Sequence, residues 1–196
     1  FKGKIQSTLF KGTVTGFSLS DSTIEGFSKD ATHDIRSVIF LDHILNTDGN
    51  VKLHFDNNTF QDNNIPVFEL STTKLTNDVI ISRSIFARNN AASGSCILLS
   101  ANSANDGKLI TIENNTFTEN ENSGDTGVIA GAVKINTQQA VFNKDNFFYK
   151  NSIIYNGDIE DICGAHGASI YLTQFNRKSY TLKGLYFEGD YSFNSA

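Results

Sequence analysis

Apolar residues in this chain alternate with polar ones in short runs, such as Val51-Leu53-Phe55, Val79-Ile81 and Leu109 to Ile112, with Val141 in a further run. Alternation of this kind places one face of a strand in a core. The runs are bounded by Asn, Asp, Gly and Ser, residues that turn a chain rather than continue it. No window shows apolar residues at a period of 3.6 between a credible cap and a glycine stop, so helices are not expected. The pattern predicts an all-β chain of many short strands.

The strands keep a longer period. Four segments align on a phenylalanine followed three places later by asparagine: Phe60 with Asn63, Phe86 with Asn89, Phe117 with Asn120, and Phe148 with Asn151. Two weaker copies, Ile24-Glu25-Gly26-Phe27-Ser28-Lys29-Asp30 and Leu185-Tyr186-Phe187-Glu188-Gly189-Asp190, carry Asp where the others carry Asn. The phenylalanines step by 33, 26, 31, 31 and 39 residues, a repeat of about 31 with variable loops. An alternating strand precedes each Phe, twice after an Asp-Gly turn at Asp48-Gly49 and Asp106-Gly107. A strand opening on Gly and small residues follows, at Gly94-Ser95-Cys96-Ile97, Gly131-Ala132-Val133 and Gly167-Ala168-Ser169-Ile170. Three short strands cannot bury an apolar face alone, whereas stacked coils can. Residues 1–196 are therefore read as one parallel β-helix, or β-solenoid, of about six coils, with three strands per coil.

In such a stack equivalent residues lie one strand spacing apart, about 4.8 Å. Phe27, Phe60, Phe86, Phe117, Phe148 and Phe187 should form an aromatic ladder in the core, and Asn63, Asn89, Asn120 and Asn151 a hydrogen-bonded ladder in a turn. Two places after each Phe stand Asp62, Arg88, Glu119 and Lys150, so opposite charges should alternate up an outer face.

The Phe-x-x-Asn segments, paired with the Gly131-Ala132-Val133 and His166-Gly167-Ala168-Ser169-Ile170 strands, resemble the repeats of the chlamydial polymorphic outer membrane proteins and similar surface proteins. The resemblance spans about Asp48 to Leu172. It implies a right-handed parallel β-helix of the pectin-lyase-like kind, an exported location, and a passenger-like role in adhesion or surface architecture.

Composition narrows the function classes. Of 196 residues, 39% are hydrophobic and 16 are Phe, too many for a disordered chain. The net charge of -5 and pI near 5.3 set the chain's own field against nucleic acid, which is not expected as a partner. No apolar run approaches the ~20 residues of a transmembrane helix, and Phe1-Lys2-Gly3-Lys4 lacks the apolar stretch of a signal peptide. With no Met, the chain is expected to be a processed form or a segment of something longer.

Parallel β-helices also carry enzymes on acidic polysaccharides, which need converging carboxylates. Asp62 and Glu119 fall two coils apart, but Arg88 between them works against the split in pKa that acid and base roles require. The insertion from Asp158 to His166 holds Asp158, Glu160 and Asp161, read as a solvated acidic loop or a cation site without a known calcium spacing. Within it, Cys163 and His166 are a nucleophile and base only if the fold brings them together. His33, His43 and His54 share no metal-ligand spacing, and His54 should point outward from its strand. Cys96 and Cys163 are two coils apart, about 9.6 Å on strand spacing alone, so a bridge needs the insertion to fold back.

Asn57 and Asn114 head Asn-x-Thr sequons at the same repeat position, and are glycan acceptors if the chain passes through a eukaryotic secretory pathway. The leading expectation is a non-enzymatic, extracellular structural or adhesive module of a cell-surface protein or filament, without cofactor or metal. It would associate with like chains, by end-to-end stacking, or with surface glycans. The alternatives are a polysaccharide lyase or glycoside hydrolase, and a carbohydrate-binding module marked by an exposed aromatic row including Tyr149 and Tyr155.

Overall fold

The computed structural model describes residues 8–28, 36–44, 52–72, 75–91, 96–101, 108–124, 128–137, 139–156, 165–173 and 180–194. These form 24 strands and no helix. Three six-stranded sheets run the length of the molecule. The first collects Phe10–Val14, Ile39–Ile44, Phe68–Thr72, Ile97–Ala101, Val133–Asn136 and Ile170–Thr173. The second collects Phe17–Ser20, Leu53–Asp56, Val79–Ser82, Ile110–Glu113, Ala140–Asn143 and Tyr180–Leu182. The third collects Thr23–Glu25, Thr59–Gln61, Ile85–Ala87, Thr116–Thr118, Asn146–Tyr149 and Leu185–Glu188.

Within each of these sheets a strand pairs in parallel with the matching strand one coil earlier and one coil later. Parallel neighbours need a long crossover, and here the rest of the coil supplies it. The chain is thus a parallel β-helix of six coils. From the third coil onward a fourth strand joins in, at Asn90–Ala91, Glu121–Gly124, Ser152–Tyr155 and Tyr191–Asn194, and a lone bridge from Ser28 to Asn64 marks that place in the first two coils.

Strands end where one residue turns left-handed. Between the second and third sheets these residues are Asp21, Asn57, Arg83, Asn114, Lys144 and Gly184, with φ between 49° and 60°, and in the fifth coil Asp145 joins Lys144 at 41°. Between the third and fourth they are Gly26, Asp62, Arg88, Glu119, Lys150 and Gly189, with φ between 52° and 71°. A non-glycine residue in this region costs about 1–2 kcal/mol. The corner N–H groups still pair with the next coil, as Asp62 N–H does to Ala87 O at 3.0 Å, so the turn loses no ladder bond.

The sheets enclose one apolar core filled by the inward-facing positions of all three. The rings of Phe60, Phe86, Phe117, Phe148 and Phe187 stack with centroids 5.0, 4.8, 4.8 and 5.0 Å apart and interplanar angles of 5–20°. Strand spacing sets that distance, because each ring stands on the same register position of successive coils. A second aromatic group, Phe10, Phe17, Phe55 and Phe68, fills the core of the early coils.

Phe27 does not belong to this column, contrary to the alignment on Phe. The partner of Phe60 in the first coil is Ile24, and Phe27 stands three places on, at the asparagine position, its N–H donating to Asn63 Oδ1 at 3.0 Å. The first step is accordingly 36 residues, not 33. The cause is the glycine: Gly26 takes the left-handed corner that Asp62 takes in the next coil, which leaves Ile24 facing inward.

Candidate functional site

The asparagines of the repeat are buried and bonded along the stack. Asn63 and Asn89 each donate the backbone N–H to the side-chain oxygen of the next coil's asparagine, at 3.3 and 3.1 Å. The same acceptor takes the side-chain amide of the coil before, at 2.8 Å from Asn63, 3.0 Å from Asn89 and 2.9 Å from Asn120. The second amide hydrogen goes back to the carbonyl of the preceding coil's Phe, as from Asn120 to Phe86 O at 2.8 Å and from Asn151 to Phe117 O at 3.0 Å. Asp190 closes the column, accepting from Asn151 N and Nδ2 at 2.6 and 3.1 Å.

A second polar ladder lies at the other corner of the third sheet, and the sequence reading did not single it out. Ser22 N–H donates to Asn58 Oδ1 at 3.1 Å, Asn58 N–H to Ser84 Oγ at 3.1 Å, Ser84 N–H to Asn115 Oδ1 at 2.9 Å, and Asn115 N–H to Asn146 Oδ1 at 3.2 Å. Its signal was present in the aligned segments, as an Asn or Ser two places before each Phe from Phe60 to Phe148. Buried polar groups need partners, and here the neighbouring coil supplies most of them, with Ser84 Oγ donating to Ser82 O and Asn146 Nδ2 to Asn143 O inside their own coils.

The outward charges pair between coils. Arg88 Nε and Nη2 donate to the two carboxylate oxygens of Asp62 at 2.7 and 2.9 Å, with both side chains about half exposed. Asp62 holds the Arg88 pKa above its ordinary value, with Glu119 adding to the effect. Asp62 and Glu119 therefore flank a guanidinium, and no open site lies between them. Arg83 bridges to Asp56 and Lys144 to Glu113 along the adjacent column. Asp56 is held at about 2 by the hydrogen bond from Arg83, with burial opposing and Ser82 assisting.

Among the described residues Glu69 is the buried carboxylate of the outer surface, 3% exposed on the first sheet and bonded to Arg36, whose guanidinium also lies 4.6 Å from the Phe40 ring. Burial pushes its carboxyl up, with Arg36 opposing. No second buried carboxylate among the described residues stands beside it to make an acid and base pair. Among the described residues no three of His, Cys, Asp and Glu come together to hold a metal. His54 occupies an outward phase of its strand. Cys96 carries a free, buried thiol whose pKa burial pushes up. Cys163, Asp158, Glu160, Asp161 and His33 lie outside the described residues, as do the side chains of His43 and His166.

Two surface features remain. Asn57 and Asn114 are both exposed, on left-handed corners two coils apart, and Asn57 Nδ2 donates to Asp21 Oδ1 at 2.6 Å. The outer face of the third sheet carries the column Thr23, Thr59, Ile85, Thr116, Phe147 and Tyr186, in which Ile85, Phe147 and Tyr186 are 45%, 47% and 51% exposed. Phe147 and Tyr186 stack on each other at 4.9 Å and 17°, so they cover each other's faces and turn their edges to solvent. The anticipated row through Tyr149 and Tyr155 is not formed, because Tyr155 is 3% exposed and packs beside Ile153. Tyr149 lies under Lys150, whose Nζ is 4.8 Å from the ring centroid.

No family model, no curated protein and no solved structure matches this chain. The parallel β-helix and its ladders are the class that the fold itself defines.

Proposed function

We propose that this chain is a non-enzymatic structural or adhesive module that works outside the cell, in a cell-surface protein or filament. The observation that carries the reading is where the repeat's own residues go. Phe and both asparagine series are used in holding coil to coil, and the outer carboxylates at Asp56, Asp62 and Glu113 are engaged with Arg83, Arg88 and Lys144. A stack of this kind is stiff along its axis and presents flat faces of fixed spacing, which suits a spacer or an adhesive surface. The resemblance of the Phe-x-x-Asn repeats to those of polymorphic outer membrane proteins supports the same reading.

Export is tested by the intact mass of the native protein before and after enzymatic removal of N-linked glycans. A mass above 21.5 kDa that falls by two glycans, at Asn57 and Asn114, supports a secreted glycoprotein. A bare 21.5 kDa chain removes glycosylation from the proposal. Turnover of an acidic polysaccharide that disappears in a Glu69→Gln variant would overturn the non-enzymatic reading.

A further inference from the structure

Phe147 stands on the outer face of the third sheet, 47% exposed, and because it points away from the stack no further coil would cover it. Its stack with Tyr186 of the sixth coil, at 4.9 Å and 17°, covers one face of the ring. The opposite face looks towards the fourth coil, where the register partner is Thr116. A threonine is too short to cover a phenyl ring, so the outer part of that face stands bare above it. The two residues make a step, with Thr116 as the floor and the Phe147 ring as the wall.

Thr116 is also the hydroxyl residue of the sequon Asn114-Asn115-Thr116. Asn114 is exposed, on the left-handed corner from which this strand sets out. From Asn114 to Phe147 is two residues along the strand and one strand across, roughly 8 Å between Cα atoms, within reach of a sugar linked to the asparagine. Lys144 follows Asn114 at the corner of the next coil, but its Nζ turns to Glu113 on the second sheet, 3.1 Å away. The other sequon is less well placed. Asn57 Nδ2 is drawn to Asp21 in the first coil, at 2.6 Å, and the residue beyond Thr59 in the next coil is the aliphatic Ile85.

We infer that Phe147 is a platform for the chain's own glycan, the first N-acetylglucosamine on Asn114 lying over Thr116 with its C–H face against the ring. The inference rests on the reading of the chain as an exported module. Attachment forms a bond from Asn114 Nδ2 to C1 of the sugar; a lipid-pyrophosphate donor gives up the sugar and keeps the bridging oxygen, and one amide hydrogen leaves as a proton. The C–H groups of the sugar carry slight positive charge and the ring face is negative, so the contact is attractive as well as apolar. The glycan thereby covers apolar surface that would otherwise invite association.

The test uses the full chain made in a eukaryotic secretory host and trimmed by an endoglycosidase to one N-acetylglucosamine per site. Proton NMR of the unmodified chain should show the Asn114 sugar shifted upfield by the ring current and the Asn57 sugar unshifted, a reading that needs no variant. Phe147→Thr, which copies Thr116 of the coil before, should abolish that shift. Asn114→Gln removes the sugar, and should lower the thermal midpoint by about 2–4 °C in the unmodified chain and leave it unchanged in Phe147→Thr. Equal losses in both backgrounds, an Asn114 sugar at its solution shifts, or a bare Asn114 beside an occupied Asn57 would each overturn the inference. The mass of the native protein reads the export proposal separately. An occupied Asn114 without a ring-current shift therefore rejects the packing alone, whereas a native chain bare at both sites rejects the glycan as well.

Discussion

Asn120 accepts two hydrogen bonds from Asn89 through one oxygen, 3.1 Å from the backbone nitrogen and 3.0 Å from the side-chain nitrogen. Its own amide then bonds Asn151 Oδ1 at 2.9 Å and Phe86 O at 2.8 Å. One side chain thus spans three coils. Replacing it by Ala leaves the backbone and side-chain donors of Asn89 and the Phe86 carbonyl without this partner in a buried site, while Asn151 Oδ1 keeps the Asn120 N–H at 3.2 Å, at about 1–3 kcal/mol for each group left unsatisfied. Asn120→Ala should therefore destabilise by at least about 3 kcal/mol in urea denaturation. A loss below about 1 kcal/mol would mean that water replaces the ladder.

Asp190 should be improvable. Its Oδ2 is buried without a hydrogen-bond partner, at the position from which the ladder asparagines donate to a Phe carbonyl one coil back, here that of Phe148. Asp190→Asn supplies the missing N–H and should stabilise the sixth coil by about 1 kcal/mol, the net worth of one such bond. Slower amide exchange in the Leu185–Glu188 strand would register the gain, and unchanged exchange would refute it.

Gly131 tolerates no side chain. A Cβ there would come within 2.2 Å of Ala168 O and 2.6 Å of Ser152 O, both backbone atoms. Neither oxygen moves without disturbing the pairing of the fifth and sixth coils, since Ala168 O itself accepts from Gly131 N–H at 2.9 Å. Gly131→Ala should cost about 1–3 kcal/mol or more, as overpacking does, and lower the thermal midpoint accordingly.

Acid should weaken the stack through Asp56. Its folded carboxyl titrates at about 2, below the ordinary value of 3.8. The unfolded chain therefore binds the proton first, and the contribution of Asp56 is complete above about pH 4 and lost as pH falls towards 2. Glu69 works in the opposite sense, because burial raises its folded pKa and its protonated form is favoured in the fold. Denaturation followed from pH 7 downward should show a shallower acid loss in Asp56→Asn than in the unmodified chain. Equal slopes would mean that the Arg83 contact is lost in solution.

Much of this architecture was legible in the sequence, because a solenoid writes its period into the chain. Phe60, Phe86, Phe117 and Phe148 could be aligned by eye, and Asp62, Arg88, Glu119 and Lys150 kept phase with them. The second polar ladder was equally present, two places before each Phe, but its mixture of Ser and Asn hid a common role that hydrogen-bond geometry makes plain. The first coil was misaligned because an aromatic residue was matched to an aromatic residue, whereas the backbone matched Gly26 to Asp62 by their shared left-handed turn.

The sequence by itself determined the all-β class, the period of the coils and the residues that stack in the core from the second coil onward, because each depends on local alternation repeated in register. Only the tertiary structure decided that Ile24 heads the Phe column and that Tyr155 is buried. Those outcomes turn on what lies one coil above or below a residue, about 4.8 Å away in space and some 30 residues away in the chain, a distance over which periodicity specifies the neighbour's phase but not its loop length.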